Sequence, residues 1–202
     1  MPFLAFDLSA FNGFDSDILL YIQEHIRCEF LDWIFPNITY LGDAGIFWIV
    51  LTAILMCFRK TRRAAFCSMF ALIGSLLLNN IILKPLVDRV RPYEIYEGLV
   101  LIGKKAKDAS FPSGHTAASV ASAVALSFHL RKRWSIPLII FALMISFSRL
   151  YIGIHHPTDV LFGIVDGLLL ALIAWMIERR MNRSVVWYQR FTGEKREEQQ
   201  EA

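Results

Sequence analysis

Apolar residues dominate this chain and form long runs that clusters of charged residues interrupt. Between residues 41 and 177, five runs approach the length of about 20 residues that an α-helix needs to cross the hydrocarbon core of a bilayer. The pattern therefore predicts an all-α, polytopic membrane helix bundle with about five transmembrane helices. The predicted spans are Leu41–Phe58, Ala64–Leu83, Ser113–Leu130, Trp134–Tyr151 and Pro157–Ile177.

The first 37 residues contain no apolar run long enough to span a bilayer. Apolar residues recur there at helical spacing from Ile18 to Ile34, and acidic residues such as Glu24 and Glu29 separate them. This pattern is typical of an amphipathic helix in the membrane interface, and a helix packed on the end of the bundle is the alternative. The expected organisation is an amphipathic segment, a transmembrane domain and a polar cytoplasmic tail, with bounds 1–37, 38–180 and 181–202.

Composition agrees with a membrane protein. Hydrophobic residues make up 55% of the 202 residues, charged residues only 19%, and the mean hydropathy is +0.46. Such values exclude an ordinary soluble domain. The three cysteines show no disulfide-scaffold spacing, so we interpret Cys28, Cys57 and Cys67 as packing residues without a redox role.

The distribution of basic residues predicts the topology. With five spans, 13 of the 21 lysines and arginines fall on one side: four at 59–63, three at 131–133 and six after residue 177. The positive-inside rule makes that side cytoplasmic, with the N-terminus outside. Seven of the other eight basic residues lie in or beside the two external loops. Cations retained there against the rule indicate an anionic ligand on the extracytoplasmic face.

Lys84 and Arg91 end the second apolar run. They are seven residues apart, which places them on one helix face if the helix continues past Pro85 and stops at Pro92. Arginine offers a planar fork for two phosphate oxygens, and lysine offers a point charge. The alternative is ordinary snorkelling of basic residues at a helix end.

Ser113, Gly114 and His115 open the third span. Glycine lets an anion approach the backbone, the N–H groups of a helix start bind anions, and the serine adds a hydroxyl donor. His115 would lie in the first turn, where it can exchange a proton near neutral pH. An N-capping serine beside an interfacial histidine is the alternative.

Arg149, His155 and Asp159 lie at the junction of the last two spans, where charge beside hydrocarbon is costly. Pro157 suits the first turn of a helix, so Asp159 can turn back and hold one imidazole nitrogen of His155. The other nitrogen is then available as a nucleophile or base. His156 faces a different direction and is interpreted as structural.

Two histidines and an aspartate suggest a metal site as the alternative to a phosphate site. At least four cations fall in the same region, and they would repel a metal ion while attracting a phosphate. We therefore expect no metal and no other cofactor.

The three motifs together resemble the signatures of the type 2 phosphatidic acid phosphatase superfamily. This superfamily includes membrane lipid phosphatases, glucose-6-phosphatases and soluble vanadium haloperoxidases, the last of which the predicted spans exclude. The resemblance covers roughly residues 40–177. The matching positions are Lys84 with Arg91-Pro92, then Pro112-Ser113-Gly114-His115, and then Ser148-Arg149 with His155 and Asp159.

The resemblance implies roles for these residues. His155 would attack phosphorus to form a phosphohistidine, Asp159 would orient it, and His115 would protonate the leaving oxygen. The remaining matched residues would bind the phosphoryl oxygens: Lys84, Arg91, Ser113, Gly114 and Arg149. No metal is implied.

The small bundle and external site are similar to those of bacterial undecaprenyl diphosphate phosphatases and phosphatidylglycerophosphate phosphatases. The alternatives are a phosphatidic acid or lipid A phosphatase, a phosphotransferase, and a non-hydrolytic anion or lipid transporter. A transporter needs polar residues along a path through the membrane, and the deep candidates are Asn79, Asn80 and Asp166. The expected partners are a lipid phosphate and the membrane, and no nucleic acid.

Overall fold

The computed structural model describes residues 8–193, which form helices joined by turns and one longer loop, without a β-strand among them. The predicted all-α architecture is confirmed. A π-helical segment, Leu76–Leu83, continues α4 into α5. The α-helices are α1 Asn12–His25, α2 Glu29–Leu41, α3 Ile46–Cys57, α4 Arg62–Ser75, α5 Lys84–Val87, α6 Pro92–Ile95, α7 Gly114–Ser127, α8 Lys132–Tyr151, α9 Pro157–Ser184 and α10 Val186–Thr192.

Helix α7 is the centre of the bundle and packs against α4, α8 and α9. Its sequence is rich in alanine and serine, so the neighbouring backbones approach closely and most of its residues are buried. Hydroxyl groups join it to the surrounding helices. The Trp48 indole donates to Ser119 Oγ at 2.8 Å, and Ser68 and Ser122 share a hydrogen bond of 2.6 Å. Short side chains and hydroxyl pairs thus replace the large aliphatic core of a soluble bundle.

Three helical stretches of the described chain are long and apolar enough to cross a membrane: Arg59–Ile95, Lys132–Tyr151 and Pro157–Ser184. The pair α2 and α3, bent by 53°, would make a fourth if it is one span. The predicted first span, Leu41–Phe58, differs from this arrangement because α2 ends at Leu41 and α3 begins at Ile46. Gly45 adopts a left-handed φ of +67° between them, which breaks the helix.

The N-terminal segment forms two helices, where the apolar periodicity suggested one. Cys28 is extended and separates α1 from α2. Helix α1 packs on α8 and α9, and α2 packs on α8. Leu19 and Ile22 of α1 are buried, but so is Asp15 on the same face. Residues 1–7 of the predicted amphipathic segment lie outside the described residues.

The opposite end of the bundle is closed by α9 and α10. Helix α9 extends to Ser184, past the predicted end of the last span at Ile177, and α10 lies within the segment that was expected to be a polar tail. Glu178 is fully buried and accepts hydrogen bonds from Arg63 at 2.8 Å and from the Tyr188 hydroxyl at 2.9 Å. Residues 194–202 of the tail lie outside the described part of the chain.

Candidate active site

Most of the predicted site residues line one cavity of about 260 Å³ at the end of the bundle where α8 stops and α9 starts. Ser113 and Asp159 do not line this cavity, and both are fully buried behind it. Residues far apart in the chain therefore meet around one small polar volume. The predicted residues that line it are Lys84, Arg91, Gly114, His115, Arg149 and His155.

The contacts of His155 determine which of its ring nitrogens carries the hydrogen. Arg91 Nη1 lies 3.1 Å from Nε2, and because a guanidinium can only donate, Nε2 accepts and is unprotonated. The hydrogen is then on Nδ1, which lies 3.5 Å from Asp159 Oδ2. This separation is long for a hydrogen bond. Nε2 therefore keeps its lone pair, which accepts the hydrogen bond from Arg91.

The surroundings of His155 favour its neutral form. The side chain is 2% exposed, and this burial lowers its pKa well below the usual 6.5. The positive charges of Arg91 and Arg149 act in the same direction, and the Asp159 carboxylate opposes them. The imidazole is therefore uncharged at neutral pH, which a nucleophile requires.

Arg91 reaches the site by a route that differs from the prediction. The helix does not continue to Arg91, because α5 ends at Val87 and Asp88 turns the chain with a left-handed φ of +43°. The following residues are not helical, and Arg91 N-caps α6 in an extended conformation. Its guanidinium, buried with the rest of the side chain, also donates to the carbonyl oxygens of Ile154 and Ala109, at 2.9 and 3.1 Å.

Asp108, in the loop before α7, pairs with both cations of this first motif. Its Oδ2 accepts from Lys84 Nζ, and its Oδ1 accepts from Arg91 Nη2 at 2.8 Å. Partial burial would raise the pKa of Asp108, but the hydrogen bond from Lys84 and the charges of Lys84 and Arg91 outweigh it and lower the pKa to about 2. One carboxylate thus offsets half of the positive charge of the two cations, and its side chain remains 54% exposed.

His115 has a carboxylate partner that the sequence did not reveal. Asp43, in the turn between α2 and α3, accepts a hydrogen bond of 2.7 Å from Nε2 of His115. This pairing places the hydrogen on Nε2. Gly42 lies against the same ring, since a Cβ there would come within 3.0 Å of His115 Cδ2. The turn before α3 therefore fixes the imidazole on the rim of the cavity.

Ser113 and Gly114 start α7 in different ways. The Ser113 hydroxyl accepts from Thr116 Oγ1 at 3.0 Å and, as an N-cap, from the Thr116 backbone N–H at 3.5 Å. Its own N–H donates to the backbone oxygen of Asp159, which ties α7 to α9. At Gly114 a Cβ would lie 3.9 Å from Lys84 Nζ. The missing side chain leaves the N-terminus of α7 open beside the lysine.

Arg149 is anchored in the last turn of α8. Its Nη1 donates to Thr39 Oγ1 at 2.9 Å, and the residue is only 5% exposed. The buried Nε has no hydrogen-bond partner among the described residues. An anion in the cavity would satisfy this donor, since a buried guanidinium without full pairing is costly.

Beside the polar cavity lies a larger one of about 650 Å³. It begins at Lys84, Gly114 and His115 and continues between α3 and α4 to Met56 and Met69. Most of its lining is aliphatic, with Asn79 and Asn80 near the polar end. The two cavities share residues, so an apolar passage opens directly onto the cationic site.

Asp166 belongs to neither cavity. Its carboxylate accepts a hydrogen bond of 2.7 Å from Asn79 Nδ2 in the π-helical segment. This hydrogen bond connects α9 to the π-helical segment that precedes Lys84, so Asn79 and Asp166 are engaged with each other.

Several residues of the site carried no predicted role. Asp43 pairs with His115, and Asp108 pairs with the cations of the first motif. Arg89, which is bound by Asp15, contacts Asp159 from behind. One of them had a signal in the sequence. Asp15 is four and seven residues before Leu19 and Ile22, so it lies in register with the buried face of its helix.

Known proteins resemble this chain along much of its length. An undecaprenyl-diphosphatase from Sulfolobus acidocaldarius is 31% identical over 65% of this chain, and the match spans 63% of that relative's length. Undecaprenyl-diphosphatase BcrC from Bacillus subtilis is 33% identical over 71% of this chain and 72% of its own. The crystal structure of a transmembrane PAP2-type phosphatidylglycerolphosphate phosphatase from Bacillus subtilis superimposes with a TM-score of 0.71 at 26% identity, covering 89% of this chain and 92% of that one.

The family assignment rests on the matched residues and on the fold together. The sequence profile of the PAP2 superfamily matches residues 64–183, which include all three motifs that meet around the polar cavity. The resemblance inferred from those motifs is confirmed. This chain, with its apolar helices of membrane-spanning length, is a membrane protein that belongs to the PAP2 superfamily.

Proposed function

We propose that this chain is an integral membrane lipid phosphatase that removes phosphate from a lipid phosphate or diphosphate at the extracytoplasmic face. The substrates we favour are of the undecaprenyl diphosphate or phosphatidylglycerophosphate type. The names of the similar proteins support this choice, since two are undecaprenyl-diphosphatases and the superimposed structure is a phosphatidylglycerolphosphate phosphatase.

One observation carries the proposal: a buried imidazole with an unprotonated nitrogen lines a cavity together with several cations. His155 Nε2 accepts from Arg91, and Lys84 and Arg149 line the same volume. A nitrogen lone pair surrounded by positive charge suits attack on a phosphoryl group, whose negative charge would otherwise repel a nucleophile. Asp159 on the far side of the ring keeps the hydrogen on Nδ1.

The proposed reaction has two steps. His155 Nε2 forms a bond to phosphorus while the bond from phosphorus to the leaving oxygen breaks. His115 enters this step protonated on both ring nitrogens: Asp43 accepts from Nε2, and the Nδ1 hydrogen passes to the leaving oxygen. Water, deprotonated by His115, then attacks the phosphohistidine, which releases inorganic phosphate and restores both rings. Uncatalysed hydrolysis of phosphate esters is among the slowest reactions in biology, so the cations must stabilise the charge on the transferring phosphoryl group.

In this mechanism the phosphate replaces Asp108. The carboxylate of Asp108 pairs with both Lys84 and Arg91, and it is half exposed on a loop. Phosphate oxygens would accept the hydrogen bonds that Lys84 and Arg91 donate to Asp108. They would also accept from Arg149 Nε, which has no partner among the described residues. Ser113 lies behind the cavity, so contact between its hydroxyl and a phosphate would require a movement of the α7 N-terminus.

The second cavity supports a lipid as the carrier of the phosphate. Its aliphatic lining starts beside the polar site and runs between α3 and α4, as a hydrocarbon chain attached to the phosphate would require. The contact between the lipid hydrocarbon and this cavity would be apolar along most of its length. The hydrocarbon would therefore contribute affinity, and the cations would orient the phosphate. We therefore expect activity on water-soluble phosphate esters to be low.

The proposed topology has five spans, with α7 as the third. The polar cavity lies at the end of α8, and the basic cluster around Arg63 lies with Glu178 at the opposite end of the bundle. The bias of lysine and arginine toward the Arg63 end supports a cytoplasmic location for that end. The active site and the N-terminus are then extracytoplasmic.

The test is phosphate release by the purified protein in detergent from short-chain prenyl diphosphate, phosphatidylglycerophosphate and phosphatidate. We expect turnover of at least one lipid, survival of activity in excess EDTA, and a phosphohistidine trapped by acid-free denaturing quench. His155→Ala should abolish both turnover and trapping. His25→Ala is the matched control, because His25 is exposed and stacks on Tyr21 away from the cavity.

Two outcomes would contradict the proposal. The first is phosphate release by His155→Ala at the rate of the parent protein. The second is loss of activity with EDTA that a divalent ion restores, which would indicate a metal-dependent reaction. Transport of a labelled lipid phosphate across vesicles without phosphate release would favour the transporter alternative.

A further inference from the structure

The two oxygens of Asp159 are held by groups other than His155. Oδ2 accepts from the Ser110 hydroxyl at 2.5 Å and from the His156 backbone N–H at 3.0 Å. Oδ1 accepts from Arg89 Nη1 at 2.7 Å. All three contacts are shorter than the 3.5 Å between Asp159 and the His155 ring. The position of this carboxylate is therefore set from behind.

Arg89 itself is held by a second buried carboxylate. Its Nη2 donates to Asp15 Oδ2 at 2.7 Å, and Asp15 has no exposed surface. Asp15 also accepts from the backbone N–H and the hydroxyl of Thr158, at 2.9 and 2.7 Å. Helix α1 thus places the negative charge of Asp15 against Thr158 in the first turn of α9. The next residue, Asp159, faces His155.

A buried chain of alternating charge results: Asp15, Arg89, Asp159 and then the imidazole. A buried charge without a partner is strongly destabilising, so such a chain persists only when each member is paired. Arg89 is 8% exposed, and its planar fork contacts both carboxylates at once. A lysine or a neutral side chain cannot reproduce this geometry.

We propose that Arg89, anchored by Asp15 of the N-terminal helix, is a positioning residue that fixes Asp159 behind the nucleophilic imidazole, an inference that rests on the proposed phosphatase function. Arg89 offsets part of the negative charge of Asp159. Asp15 in turn offsets part of the positive charge of Arg89. The N-terminal helix is then a component of the catalytic unit.

Other charged groups face His155 from neighbouring elements. Arg91 contacts its Nε2 from the segment before α6, and Arg149 approaches from the end of α8. His156, next in the chain, pairs with the Tyr96 hydroxyl and the Val90 carbonyl, and its Nδ1 lies 3.8 Å from Asp15 Oδ2. Arg91 and Arg149 stay in place when Arg89 or Asp15 is substituted. The effect of either substitution therefore reaches His155 through Asp159, with His156 as the titratable neighbour of Asp15.

Opposite shifts of the pH profile follow from this arrangement. Without Arg89, the full charge of Asp159 acts on the imidazole and favours its protonation, so the acid limb of kcat/KM moves to higher pH. Without the charge of Asp15, Arg89 offsets Asp159 more strongly, so the acid limb moves to lower pH. A packing defect alone predicts no such opposition.

The experiment compares Arg89→Gln, Arg89→Lys and Asp15→Asn with the parent protein. Arg27→Gln is the matched control, because Arg27 ties the α1–α2 junction to the carbonyl oxygens of Tyr151 and Val100 without contacting Asp159. The readouts are kcat and KM for the best lipid substrate, the pH profile, and the thermal stabilisation of each protein by vanadate. The last shows that the phosphate cavity is folded even where turnover is lost.

We expect Arg89→Gln to lower kcat by about 10²-fold, as misplacement of a catalytic group by about 1 Å does, with KM unchanged. Vanadate should stabilise this variant as it stabilises the parent, since Lys84, Arg91 and Arg149 are intact. Arg89→Lys should recover part of the loss. The acid limbs of Arg89→Gln and Asp15→Asn should move in opposite directions, and that of Arg27→Gln should not move.

Parallel loss of kcat and of vanadate stabilisation in Arg89→Gln would overturn the positioning role, as would acid limbs that move together or not at all. A kcat equal to that of the parent would also overturn it. These results are separable from a failure of the proposed function, in which the parent protein itself releases no phosphate from any lipid.

Discussion

Replacement of Gly163 by alanine should impair the active site through helix packing alone. Gly163 lies on α9 against the start of α7, and a Cβ there would come within 2.9 Å of the Ser113 carbonyl oxygen and 3.1 Å of Thr116 Cβ. Ordinary contacts begin near 3.4 Å, so the two helices must separate by about 0.5 Å. The obstacle includes backbone, which cannot rotate away.

The separation would act on the residues that open α7. Ser113, Gly114 and His115 belong to its first turn, and the Ser113 N–H bond to Asp159 crosses the same gap. Because a misplacement of about 1 Å costs about 10²-fold, a shift of half that size should lower kcat/KM by about tenfold. Overpacking should also reduce the free energy of unfolding by about 1–3 kcal/mol.

Gly167→Ala provides the matched comparison. Its Cβ would meet the Ala117 carbonyl and Val120 Cβ at 2.8 Å, a clash as close as that at Gly163 but one helical turn further from the site. The two variants should therefore lose similar stability, measured by thermal unfolding in detergent, while Gly167→Ala retains most of its activity in the phosphate-release assay. Equal losses of activity in the two variants, or full activity of Gly163→Ala, would refute this reasoning.

Three further predictions concern chemistry and topology. Because burial lowers the pKa of His155, its protonated and inactive form should appear only below pH 6.5. The acid limb of kcat/KM for the free enzyme should therefore lie below pH 6.5, and an acid limb above that pH would contradict a neutral nucleophile. His115→Ala should lose roughly 10²–10⁴-fold on an alkyl phosphate but less on p-nitrophenyl phosphate, whose leaving group needs no proton, and equal losses would exclude the acid role. In intact cells, with the three native cysteines replaced, an impermeant thiol reagent should label Lys104→Cys and not Arg59→Cys, and the reverse pattern would invert the topology.

Local features of the chain were readable without the structure. Pro157 opens α9 and Tyr151 closes α8, as predicted, because proline at a first turn and the end of an apolar run depend only on neighbouring residues. The three motifs also identified six of the residues that line the polar cavity, since the spacing within each motif is a local property. The positions at which helices break could not be predicted in this way. Neither the turn at Gly45 nor the left-handed Asp88 follows from periodicity.

The sequence by itself determined the helical membrane architecture and the residues of the three motifs. Only the tertiary structure decided what those residues contact: Asp43 on His115, Asp108 on Lys84 and Arg91, and Asp15 with Arg89 behind Asp159. The physical reason is that hydrophobic periodicity reports whether a position is buried, while a buried charge is tolerated only beside a partner. The partner of Asp15, Arg89, lies 74 residues away in the chain, in the non-helical segment between α5 and α6, and only the tertiary fold brings the two together.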